Sequence, residues 1–133
     1  QVAGWLNAEA GGPLPADHGL VVVDCWATWC PPCRAEMPRL AALHEQYAPL
    51  GVSFIGLTSE SESDLPKIRD FMATIPGFTW PVAYGAGDVL QQIGVRVLPT
   101  LIVFDAKGEA IWSSVGSHGL SEVLDAALAH GSL

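Results

Sequence analysis

Apolar runs and amphipathic stretches alternate along this chain. Leu20-Val21-Val22-Val23 leads without a polar break to Asp24 and Cys25, the pattern of a central strand buried on both faces of a parallel sheet. A helix is predicted from about Pro32 to Tyr47. Its apolar positions Met37, Leu40, Leu43 and Tyr47 recur at steps of three and four, prolines at its start suit a first turn, and Pro38 should kink it. After Pro49-Leu50-Gly51, Val52 to Leu57 reads as a second buried strand, so the three elements form a parallel βαβ unit with a right-handed crossover. The loop Thr58 to Ser63 is polar. Ser63 or Asp64 should cap a helix reaching about Thr74, with Ile68, Phe71 and Met72 on its inner face.

The second half is built from shorter pieces. Trp80 to Tyr84 reads as a short strand and Asp88 to Ile93 as a short helix stopped by Gly94. Thr100 to Phe104, the turn Asp105-Ala106-Lys107-Gly108, and Glu109 to Ser114 form the plainest hairpin in the sequence. A last helix spans Ser121 to His130, with an apolar stripe of Leu120, Val123, Leu124, Ala127 and Leu128, and Gly131 as its stop. Residues 1–19 are rich in Gly, Pro and Ala and make a lead-in with room for one edge strand. The pattern is that of an α/β protein, one domain over residues 1–133 with its core at about 20–130. No repeat or linker divides it.

Charge narrows the partners. Six Lys and Arg stand against fourteen Asp and Glu, net −8, and the basic residues are dispersed, which makes nucleic acid a poor partner. The longest apolar run is far too short to span a bilayer. The chain starts at Gln1, like a mature or trimmed product, without a basic-apolar-small leader, so any signal or membrane anchor would lie outside the given chain.

Chemistry concentrates at Trp26-Ala27-Thr28-Trp29-Cys30-Pro31-Pro32-Cys33. Two cysteines spaced Cys-X-X-Cys fall where the first strand gives way to the first helix, and unpaired N–H groups at a helix N-terminus favour thiolate over thiol. Cys30, first in the motif, is the candidate attacking sulfur. Cys33, one turn deeper, can displace the partner and leave a Cys30–Cys33 disulfide. Pro31 and Pro32 stiffen the loop and remove two backbone donors, although they also simply suit a helix start. A zinc site needs four ligands as a rule, and no second Cys-X-X-Cys or His pair occurs; the histidines at 18, 44, 118 and 130 are scattered. Cys25, in a buried strand, reads as a small core residue. No cofactor is expected beyond the cysteine pair.

The segment Val22-Val23-Asp24-Cys25-Trp26-Ala27-Thr28-Trp29-Cys30-Pro31-Pro32-Cys33-Arg34 resembles the active-site segment of the thioredoxin family, in the form seen in TlpA/ResA-like thiol-disulfide oxidoreductases. Val95-Arg96-Val97-Leu98-Pro99-Thr100 resembles the family's cis-proline loop. The resemblance implies a thioredoxin-like fold, a central mixed β-sheet sandwiched by helices. It implies a cis bond before Pro99, though a trans proline opening an edge strand would also fit the residues alone. Leu98 and Pro99 would then meet an incoming peptide, with Trp29, Pro31 and Pro32 lining the same contact. Asp24 matches the family's buried acid that exchanges a proton with the second cysteine; the alternative is an acid held by backbone amides. Glu60 resembles the acid that TlpA/ResA-like proteins bring near their cysteines, with Glu62 and Asp64 close enough to compete.

The same resemblance implies an extracytoplasmic, periplasmic or cell-envelope setting, with or without a membrane tether. It implies a monomer that acts on disulfide-bearing clients, such as apocytochromes c in cytochrome c biogenesis, and is recharged by an upstream thiol donor. Two other functions are weighed beside protein-disulfide reduction: a copper-binding or delivery module using both thiolates and His118, and a thiol peroxidase of the redoxin group. The direction of exchange, reducing or oxidising, is left open by the residues.

Overall fold

All five residues of β2 (Val21–Cys25) are buried, because this strand has a neighbour on each edge and a core on each face. The computed structural model describes residues 1–8, 12–15 and 18–130. Six strands form one mixed sheet in the order β1-β4-β3-β2-β5-β6. In chain order they are β1 (Gly4–Leu6), β2, β3 (Ser53–Leu57), β4 (Val82–Tyr84), β5 (Thr100–Phe104) and β6 (Ala110–Val115). β2, β3 and β4 run parallel, while β1, β5 and β6 pair antiparallel with β4, β2 and β5. The expected βαβ unit and late hairpin are both present, and the lead-in supplies the edge strand β1.

Among the described residues three helices connect strands, α1 (Pro31–Tyr47), α2 (Leu65–Ala73) and α3 (Gly87–Gln92), and a fourth, α4 (Leu120–Ala129), follows β6. Pro31 and Pro32 occupy the first turn of α1, where a missing N–H costs nothing, and the helix continues on both sides of Pro38. Asp64 is the N-cap residue of α2, one of the two expected, though its side chain makes no capping bond there; ahead of it a 3₁₀ turn covers Glu62–Asp64, with Ser61 as its own cap. The Asp64 carboxylate reaches back to the Ser61 N–H at 2.9 Å, which closes a capping box one turn early. The expected stop of α4 at Gly131 lies outside the described residues.

Side chains alternate across β2 and so divide the interior in two. Val22 belongs to a first core with Cys33, Met37 and Leu40 of α1, Ile68 and Phe71 of α2, and Leu120 and Leu124 of α4. Val21, Val23 and Cys25 belong to a second core with Leu57, Ala83, Ile102 and Leu90 of α3; Val2, Trp5 and Leu14 of the lead-in pack against it. The helices thus cover the two faces unequally, three on one and one short helix with the lead-in on the other. No helix among the described residues is long and apolar enough to cross a membrane.

Candidate active site

Beyond Cys25 the chain leaves the sheet in a tight turn. The Trp26 N–H still bonds to the Leu57 carbonyl at 3.0 Å, extending the β2–β3 ladder by one residue. Its ring drops into the first core against Phe71 and Phe78, with centroids at 5.7 and 5.6 Å. The turn Ala27-Thr28-Trp29-Cys30 is closed by the Cys30 N–H on the Ala27 carbonyl. Cys30 then takes an extended conformation as the N-cap of α1, and its Sγ accepts the Cys33 N–H at 3.2 Å. A sulfur therefore fills the capping role usually given to Ser or Asp, in the field of the helix N-terminus.

Cys30 and Cys33 are disulfide-bonded, their Cα atoms 5.3 Å apart. Cys33 is sealed, whereas Cys30 keeps 4% of its surface beside exposed Pro31, Pro32 and Trp29, the last 65% exposed. Approach to the pair is therefore from the Cys30 side. The β2–β5 register pairs Cys25 with Thr100, so the Leu98–Pro99 loop enters the sheet at the end from which the cysteine turn leaves. The Leu98–Pro99 bond is cis. Pro99 is buried, Leu98 half-buried and Val97 exposed, and the Pro99 carbonyl accepts the Gly116 N–H at 2.9 Å.

Asp24 shares the α1-facing side of β2 with Val22. It is 1% exposed, and among the described residues neither carboxylate oxygen has a hydrogen-bond partner, so their backbone amides do not hold it. Burial, and secondarily the charge of Glu36, push its carboxyl up to about 8. Glu60 is also buried, but its partners are different. Its carboxylate accepts the Thr28 N–H at 2.8 Å and the hydroxyls of Thr28 and Thr58 at 2.5 and 3.1 Å. It thus holds the turn before Cys30. Glu62 is exposed and Asp64 is engaged with Ser61, so neither competes for this position.

Two side chains at the site were not singled out by the sequence. Glu36 lies three residues after Cys33 on α1, accepts the Ser117 N–H at 2.5 Å, and is the charge felt by Asp24. The spacing Cys-X-X-Cys-X-X-Glu, which puts an acid on the same helix face as the second sulfur, was the available signal. Arg34 donates to the Thr28 carbonyl at 3.2 Å while its guanidinium lies 4.5 Å from the centroid of the Phe71 ring. Cys25 is fully buried in the second core, its thiol pushed up to about 12 by burial and the Asp24 charge. His118 is exposed, and no group of three His, Cys, Asp or Glu among the described residues could hold a metal ion.

Residues 16–128 match the redoxin family. The chain is 35% identical over 104 residues to thioredoxin-like protein YneN of Bacillus subtilis, covering 77% of this chain and 60% of that protein. It is 33% identical over 97 residues to the thiol-disulfide oxidoreductase ResA of Bacillus thuringiensis, covering 72% and 54%. The match thus spans a little over half the length of these relatives. Among solved structures, a thiol:disulfide interchange protein of the thioredoxin family from Chlorobium tepidum superimposes with a TM-score of 0.70 at 26% identity, covering 84% of this chain and 81% of that one.

Proposed function

Since the chain belongs to the redoxin family and has the thioredoxin-like fold, we propose that it is a thiol-disulfide oxidoreductase that reduces disulfides in client proteins through Cys30 and Cys33. The observation that carries this reading is the disulfide at the mouth of α1, with Cys30 at the surface and Cys33 sealed beneath it. The bonded pair is the product state of the reaction.

In the reduced protein the Cys30 thiolate, favoured by the helix N-terminus, attacks one sulfur of a client disulfide; the other client sulfur leaves as a thiolate. Cys33 then loses its proton, attacks Cys30 Sγ in the mixed disulfide, and expels the second client thiolate. Asp24 is the group proposed to take that proton. Its carboxyl, pushed up to about 8, is a far stronger base than an ordinary carboxylate, and the minority ionised near neutrality, growing as pH rises, accepts a proton from a thiol. Two electrons have passed to the client, and an upstream thiol donor must return two electrons to the pair, with one proton going back to Cys33.

Leu98, Pro99, Trp29, Pro31 and Pro32 are proposed to contact the client. Exposed Trp29 and the Leu98–Pro99 loop, which opens directly into β5, suit an extended polypeptide laid across the Cys30 side. The likeness to TlpA/ResA-like proteins supports extracytoplasmic clients, apocytochromes c among them. Reduction of insulin is the test: the dithiol protein should precipitate the insulin B chain and Cys30→Ser should not. Equal rates for both would remove the proposal.

A further inference from the structure

Among the described residues Trp29 is the most exposed of the large apolar side chains, and it stands one residue before the reactive sulfur. A tryptophan in that position gains by folding back onto the protein, so something must keep it out. The turn Ala27-Thr28-Trp29-Cys30 has Thr28 and Trp29 at its centre. The peptide joining two such central residues is the one that rotates when a turn changes type. No described non-glycine residue except Asn7 has positive φ, so Trp29 is not in the type II arrangement.

Every polar atom of Thr28 is taken. Glu60 receives both its N–H and its hydroxyl, and Arg34 donates to its carbonyl, the oxygen that would swing if the central peptide rotated. Both grips are themselves anchored. Glu60 also holds the Thr58 hydroxyl, and its own carbonyl accepts the Gly85 N–H at 2.6 Å; Arg34 rests on the Phe71 ring, which packs on Trp26. An acid from the loop after β3 and a base from α1 therefore clasp one threonine from opposite sides.

Resting on the thiol-disulfide reading above, we infer that Arg34 and Glu60 are positioning residues: by gripping Thr28 they lock the turn so that Trp29 projects beside Cys30 as the contact for an apolar stretch of a client polypeptide. Val97, 53% exposed on the proline loop at the same end of the sheet, extends that apolar rim. Neither positioning residue touches the reacting sulfurs in this role. Their effect falls on client capture and depends on Trp29.

The experiment compares two substrates in steady state, insulin and hydroxyethyl disulfide, the latter too small to engage a docking side chain. Arg34→Ala should raise the KM for insulin about tenfold, the size of effect expected when an aromatic anchor is misplaced, with a much smaller change in kcat. The rate with hydroxyethyl disulfide should fall far less. Thr28→Val, which removes one grip without touching a charge, should act in the same direction, and Arg34→Lys should restore part of the loss. Trp29→Ala combined with Arg34→Ala should be no worse on insulin than Trp29→Ala alone. Equal losses on both substrates would mean that Arg34 acts on the sulfurs, and multiplied losses in the double variant would mean that it acts apart from Trp29; either overturns the inference. A wild-type protein inactive on both substrates would instead defeat the thiol-disulfide reading itself.

Discussion

The Glu36 carboxylate accepts the backbone N–H of Ser117 at 2.5 Å, and the neighbouring Gly116 N–H reaches the carbonyl of Pro99. The helix that carries the cysteines is thereby tied to the loop that faces them, through one side chain eighty-one residues from its partner. Glu36→Ala should leave the Ser117 N–H without its acceptor and cost about 1–3 kcal/mol. Glu36→Gln keeps an acceptor and should cost less. Because Gln carries no charge, the carboxyl of Asp24 should titrate lower than in the wild type, with burial still holding it above an ordinary carboxylate. A ¹³C titration of Asp24 in both proteins measures the difference, and an unchanged midpoint would deny the coupling.

Asp24 makes stability depend on pH with a definite sign. Its folded carboxyl is pushed up to about 8 from an ordinary 3.8, so between those limits the folded state keeps a proton that the unfolded chain has released. Stability should therefore fall as pH rises through this window and level off above it. Asp24→Asn removes the penalty and should stabilise the protein by up to several kcal/mol at pH 8, with little gain at pH 4. Urea midpoints at the two pH values provide the comparison. The same variant should slow resolution of the mixed disulfide near neutral pH, seen as its accumulation on non-reducing gels.

Gly56 marks a close approach between layers. A Cβ there would lie 3.1 Å from Trp26 Nε1 and 3.2 Å from Val82 Cγ2, with strand neighbours on both sides. Gly56→Ala should destabilise by about 1–3 kcal/mol, since neither the buried indole nor Val82 has room to withdraw. Thermal unfolding at fixed pH tests it, and an unchanged midpoint would show that Trp26 can shift freely.

Tyr47 closes the far end of α1. Its ring is buried and its hydroxyl donates to Asp125 Oδ1 on α4 at 2.5 Å, while burial first, then Asp125, push the phenol up to about 12. Tyr47→Phe should cost about 1–2 kcal/mol at neutral pH. Between pH 10 and 12 the wild type should lose part of its advantage, because the unfolded chain ionises its phenol first. Calorimetric scans across that range would expose a constant difference if the phenol were not protected.

Strands, helices and the cysteine motif were legible because each is written in neighbouring residues. Val21 to Cys25 reads as a two-sided strand from its apolar continuity, and Pro31-Pro32 mark a helix start by backbone chemistry alone. The burial of Asp24 follows from its place in that strand. What stayed hidden depends on distant partners: Glu60 meets Thr28 across thirty-two positions, and no local pattern announces that its oxygens are already taken. Glu36 and Arg34 were passed over because a charged residue on a helix ordinarily faces water. Asp64 stands at the cap of α2 as expected, but the extra 3₁₀ turn before it, capped by Ser61 with the Asp64 carboxylate reaching back, is a matter of side-chain geometry.

Cys25 sits one residue from Asp24 yet on the opposite face of β2, so the sheet is a wall between the odd sulfur and the working pair. An odd cysteine beside an exchanging disulfide invites scrambling into a dead-end bond. Here the third thiol is both fenced off and held protonated at any cellular pH. Under the proposed exchange the pair can turn over repeatedly without losing its proper mate, and a maleimide label applied to the native reduced protein should react at Cys30, with Cys33 and Cys25 both sealed.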